Sequence, residues 1–82
     1  MTIWKFELEL EIFQTIKMPN HADVRHIGLQ GGGICIWAEV RPENPMVDRN
    51  FYVVGTGHPI PAEARYYRGT IQQGAFVWHI YE

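Results

Sequence analysis

From Trp4 to Glu11 every even position is apolar and every odd one charged: Trp4, Phe6, Leu8 and Leu10 alternate with Lys5, Glu7, Glu9 and Glu11. A period of two belongs to a strand with one dry and one wet face, because successive side chains leave a strand on opposite sides. The same period recurs further along, and no window carries the 3.6-residue period of an amphipathic helix. The chain is therefore expected to be all-β. A second, less regular strand over Ile12–Met18 is stopped by Met18-Pro19-Asn20, since proline cannot donate to a ladder.

Two hairpins stand out. In the first, Val24–Gln30 and Gly33–Val40 are joined by Gly31-Gly32. A two-residue loop there sets Leu29 opposite Ile34, Ile27 opposite Ile36, Gly28 opposite Cys35 and His26 opposite Trp37. In the second, Tyr66–Gln72 and Ala75–Tyr81 flank a turn read as Gln73-Gly74, which sets Tyr67 opposite Ile80, Ile71 opposite Phe76 and Gly69 opposite Trp78. Between the hairpins, Arg41 to Asn50 is polar, contains two prolines and reads as a long surface loop before the apolar run Phe51-Tyr52-Val53-Val54. Pro61-Ala62-Glu63-Ala64-Arg65 allows one helical turn with Pro61 at its first position. The expected architecture is one domain over residues 1–82, a small antiparallel barrel or sandwich of six or seven short strands with at most one turn of helix.

A chain of 82 residues has a thin core, burying about 60–65% of the surface that its unfolded form exposes. Such domains are reinforced by disulfides, metals or self-association. Cys35 is the only cysteine, which excludes a disulfide within one chain and agrees with a reducing cytoplasm. Self-association is thus expected, with Trp4, Trp37 or Trp78 at the contact. The charged N-terminus predicts no signal peptide, and no apolar run approaches the ~18 residues that span a bilayer. Net charge is −2, so a broad basic face for long nucleic acid is not expected.

Gly55-Thr56-Gly57-His58-Pro59-Ile60-Pro61 interrupts the apolar run with residues chosen for backbone reasons. Glycine reaches positive φ, proline fixes φ, and the residue before each proline is held extended. The segment is either a sharp corner or a site where a small anionic or polar ligand meets bare N–H groups beside an imidazole and a hydroxyl. If it stays extended, Thr56 and His58 point the same way. Arg49, Arg65 and Arg68 flank it in sequence, and Arg is suited to phosphate or carboxylate recognition, although Asp48 and Glu63 would also balance a solvated face. The candidate ligand residues are Gly55, Thr56, Gly57, His58, Arg65 and Arg68. Trp37, Trp78 and Tyr66-Tyr67 offer rings for stacking, though aromatics on alternating strand positions also serve a core or an interface.

Other constellations carry less. His21, His26, His58 and His79 fall in no metal-ligating spacing, and no metal or other cofactor is expected. Cys35 is diagonal to His26 in the proposed register, which opposes a Cys–His pair. Gly31-Gly32-Gly33 lacks the strand-to-helix context and the Lys-Ser/Thr of a phosphate loop.

Trp4-Lys5-Phe6-Glu7-Leu8, Cys35-Ile36-Trp37-Ala38, Phe51 through Pro61 with its Val-Val-Gly-Thr-Gly-His-Pro-Ile-Pro centre, and Gly74-Ala75-Phe76-Val77-Trp78-His79 together resemble a family of small uncharacterised proteins of bacteriophages and prophages. The resemblance spans nearly the whole chain and transfers no catalytic residue. It implies a phage-type accessory protein in the host cytoplasm. The leading expectation is a non-enzymatic binding protein that counters a host defence by sequestering a small nucleotide-like ligand. The alternatives are an inhibitor that docks on a host defence protein and a small hydrolase with His58 as general base.

Overall fold

A computed structural model covering residues 1–82 contains seven strands: β1 (Thr2–Leu8), β2 (Phe13–Pro19), β3 (Asp23–Gln30), β4 (Gly33–Val40), β5 (Met46–Gly55), β6 (Tyr67–Gln73) and β7 (Phe76–Tyr81), with no helix. All pairings are antiparallel, in one sheet of order β1-β4-β3 and a second of order β2-β5-β7-β6. Pro61–Arg65 forms only a single turn closed by the Ala64 N–H donating to the Pro61 carbonyl at 3.0 Å.

The core lies between the sheets. Ile27, Ile34, Ile36, Ala38 and Val40 face it from the first sheet, and Met18, Phe51, Val53, Ile71 and Ile80 from the second. Along β5 all four residues from Phe51 to Val54 are buried, so this strand is covered on both faces. That is the physical meaning of a continuous apolar run in place of alternation. Edge strands β3 and β6 shield each other: a Cβ placed on Gly69 would lie 3.0 Å from Ile27 Cγ1, and the Gln73 side chain donates to the Gly32 carbonyl at 2.9 Å. β1 and β2 are the two remaining edges.

In the first hairpin Leu29↔Ile34, Gly28↔Cys35, Ile27↔Ile36 and His26↔Trp37 pair as the Gly31-Gly32 loop requires. Both glycines have positive φ, 61° and 81°, the requirement of a type I′ turn.

Three sequence expectations need correction. The second hairpin turns at Gly74-Ala75, not at Gln73-Gly74, because a glycine at φ 60° takes the first turn position and spares Gln73 that strain. The pairing moves by two residues, so Gly69 faces Ile80, Ile71 faces Trp78 and Thr70 faces His79. The polar loop is also shorter, because β5 begins at Met46: Asp48 pairs with Lys17 at 2.8 Å and Asn50 with Thr15 at 2.9 Å, a polar ladder on an outward sheet face. Lastly, β1 stops at Leu8, where the Gln14 side chain takes both the N–H and the carbonyl of Glu9 at 2.8 Å and bends the chain, leaving Leu10 exposed.

Candidate functional site

The second sheet turns Tyr52, Val54, His79, Tyr81, Tyr67 and Thr70 away from the core. Yet Tyr52 and Val54 are buried, because the chain returning from His58 to Tyr66 passes over this face. Where the strap leaves β5, the Gly55–His58 segment is not extended as expected. It is a tight turn closed by the His58 N–H donating to the Gly55 carbonyl at 3.1 Å, with Gly57 at φ 89° in the third position. A type II turn needs positive φ there, and glycine supplies it without a Cβ clash. Thr56 and His58 are therefore separated by a reversal of the chain.

The turn sets Thr56 beside β7. Its Oγ1 is hydrogen-bonded to His79 Nε2 at 2.8 Å, while His79 Nδ1 meets Thr70 Oγ1 at 3.0 Å and Thr70 in turn meets the Tyr67 hydroxyl. Both ring nitrogens are engaged, so the imidazole is held from both sides. A neutral ring has one N–H and one lone pair, so the Thr56 and Thr70 hydroxyls must run in one sense through it; a protonated ring donates to both.

Between turn, strap and sheet lies a cleft of about 240 Å³ lined by Val54, Gly55, Thr56, Gly57, His58, Ile60, His79 and Tyr81. It brings the Thr56 hydroxyl, the Tyr81 phenol and the His79 imidazole together, with His58 at its rim, and has no carboxylate. The Gly57 N–H has no acceptor within the chain. His58 makes no side-chain hydrogen bond and lies over Gly55, where a Cβ would stand 3.2 Å from its Nδ1 and 3.4 Å from the Trp78 ring. Gly55 is thus required for close packing, and Gly57 for its dihedral angle.

Of the six ligand residues expected from the sequence, Gly55, Thr56, Gly57 and His58 meet in this cleft. Arg65 and Arg68 do not line it. Arg65 sits in a wider depression of about 680 Å³ with Asp48, Arg49, Glu63 and Glu82 among its walls. Arg68 donates from Nε to Glu82 Oε2 at 2.7 Å, and its guanidinium lies 5.6 Å from the Tyr66 ring centroid. The tryptophans are dispersed: Trp4 on the β1 edge near Phe6, Trp37 against His26, and Trp78 stacked on Phe76 with its indole N–H donating to Gln73. His79, Tyr81, Thr70 and Tyr67 complete the site and were not expected there. The signal for them was the period of β7 together with Gly74, since a turn starting at that glycine puts Thr70 opposite His79. No group of three His, Cys, Asp or Glu side chains converges anywhere in the structure.

The chain belongs to the family described as Domain of unknown function (DUF7352), whose match covers residues 1–82. No curated protein and no solved structure matches it.

Proposed function

We propose that the protein acts by binding, and that the cleft between the Gly55–His58 turn and β7 takes the compact anionic group of a small nucleotide-like ligand. One observation carries this reading: the Gly57 N–H, which has no acceptor within the chain, belongs to a turn that lines, with the Thr56 hydroxyl and His79, a cleft without a carboxylate. A free backbone N–H in a fixed turn, beside a hydroxyl whose proton is released when His79 Nε2–H donates to it, is chemistry that holds phosphate or carboxylate oxygens. The wider depression around Arg65 suits an anion less, because Asp48, Glu63 and Glu82 share its walls. The resemblance to phage and prophage proteins sets the context: an accessory protein in the host cytoplasm that counters a host defence by sequestering the ligand.

A second reading, docking on a host defence protein, draws on exposed apolar residues beside the same cleft. Leu10, Ile12, Phe13 and Ile60 are 58%, 68%, 50% and 52% exposed, and Leu10 and Ile12 share a depression with His58. The hydrolase alternative has less support, since His58 is hydrogen-bonded to no nucleophile.

Denaturing the purified protein and analysing what it releases separates the first two readings, and titration of nucleoside mono- and diphosphates by calorimetry or NMR then tests the site. Sequestration predicts that the parent binds and that His58→Ala loses binding while keeping its melting temperature. A His58→Ala variant that binds as the parent does would remove the cleft from consideration. Capture of one host protein with no small molecule bound would favour docking.

A further inference from the structure

Four strand edges bound the two sheets, and three are guarded. β3 and β6 cover each other, while β2 ends at Pro19, carries Lys17 paired to Asp48, and has Glu9 clamped against its start by Gln14. β1 is different. Its ladder bonds run only to β4, and Thr2, Ile3, Trp4, Lys5 and Glu7 are all exposed. A bare edge of this length is a template for another strand.

We infer that β1 is the self-association site, pairing antiparallel with β1 of a second copy of this chain about a two-fold axis at Phe6. The register follows from three constraints. Outward N–H and C=O groups fall on every second residue of an antiparallel edge, so only registers that oppose residues of equal parity allow hydrogen bonds. An axis at Lys5 sets Lys5 against Lys5 of the second copy, and an axis at Glu7 sets Glu7 against itself; directly opposed like charges are destabilising. An axis at Trp4 pairs five residues of β1, as an axis at Phe6 does, but sets Lys5 against Ile3 and leaves Glu7 outside the pairing, so that no opposite-charge pair forms. The axis at Phe6 sets Lys5 opposite Glu7 of the second copy twice, Trp4 opposite Leu8 twice, and Phe6 opposite itself. The outer face then gains two opposite-charge pairs and the core face a continuous apolar row. Lys5 is held at rest only by an exposed hydrogen bond to Gln30 at 2.7 Å, which leaves it available for Glu7. An isologous contact of this kind closes as a dimer with a six-stranded sheet.

Sedimentation equilibrium of the full chain at high micromolar concentration tests this, with circular dichroism verifying each variant's fold. The parent is expected to be dimeric. Lys5→Glu alone and Glu7→Lys alone each turn two attractive pairs into two repulsive ones and should weaken the dimer by about tenfold. The double variant Lys5→Glu/Glu7→Lys should restore the parental constant, and an equimolar mixture of the two single variants should form heterodimers. A monomeric parent, assemblies larger than a dimer, folded single variants that dimerise as the parent does, or a double variant that is not restored would each overturn the proposal.

Discussion

Arg49 and Glu82 meet in two parallel hydrogen bonds, Nε to Oε1 at 2.6 Å and Nη2 to Oε2 at 2.9 Å, and Arg49 Nη1 also donates to the Ala22 carbonyl at 2.8 Å. With Arg68 on the same carboxylate, one side chain ties β5, β6 and the β2–β3 connection to the end of β7. Burial pushes the Glu82 carboxyl up, but hydrogen bonds and charge from Arg49 and Arg68 outweigh it and hold the group below its ordinary value. Arg49 is raised in turn, chiefly by its hydrogen bond to Glu82.

A depressed carboxyl stabilises the fold in full above its unfolded pKa, about 4.3 for a glutamate, and that contribution is lost as pH falls through the folded value. Glu82→Gln should therefore cost about 1.5–3 kcal/mol at neutral pH, the range for hydrogen bonds to a charged group. The difference from the parent should shrink steadily below pH ~4. Urea midpoints of both proteins from pH 7 down to pH 3 measure it. A gap that stays constant would mean that shape, and not charge, holds this corner.

Gly69 faces Ile27 across the two sheets with no room for a side chain. A Cβ on Gly69 would stand 3.0 Å from Ile27 Cγ1 and 3.1 Å from its Cβ, and a β-branched side chain has little rotamer freedom with which to yield. Gly69→Ala should cost about 1–3 kcal/mol as overpacking. Combined with Ile27→Ala it should cost less than the sum of the two single variants. A double-mutant cycle by chemical denaturation reads the coupling; additive costs would mean that the edges separate without strain.

How far the fold could be read from the sequence depended on what set each register. Gly31-Gly32 allows one kind of turn, so the β3–β4 pairing was legible to the residue. Gln73-Gly74-Ala75 allows two, and choosing between them needs the rule that a glycine at the first position makes the type II′ turn; with that choice His79 moves next to Thr70 and the relay appears. Met46 to Asn50 was obscured because an outward polar ladder has the composition of a loop. Half of the cleft was visible, since the backbone demands of Gly55 and Gly57 are local. Its other half, His79 and Tyr81, arrives from a strand two elements later and depends on tertiary pairing.

The Thr70–His79 contact makes a spectroscopic prediction. Thr70→Val keeps the shape of the side chain but leaves His79 Nδ1 without its partner, while Thr56 still holds Nε2. Because Thr70 is exposed, the stability change should be small, about 0.5–1.5 kcal/mol at most. The ring tautomer distribution should change, visible as altered ring-nitrogen chemical shifts of His79 alone. Unchanged shifts would mean that Thr56 by itself orients the ring.

Gly57 separates strain from access. No atom lies within 4 Å of the Cβ that a substitution would add, so the free protein resists a side chain there only through its dihedral angle, φ 89°. Gly57→Ala should cost about 1–2 kcal/mol, Asn less because it tolerates the left-handed region, and Val more because it is β-branched. Binding should not follow that order. Every side chain at this position stands beside the unpaired Gly57 N–H and blocks approach to it, so Gly57→Asn should lose ligand as fully as Gly57→Val while melting close to the parent. Thermal denaturation and nucleotide titration of the three variants side by side measure both scales. If affinity instead tracks stability across Asn, Ala and Val, the turn matters for its shape alone and the ligand oxygens lie elsewhere.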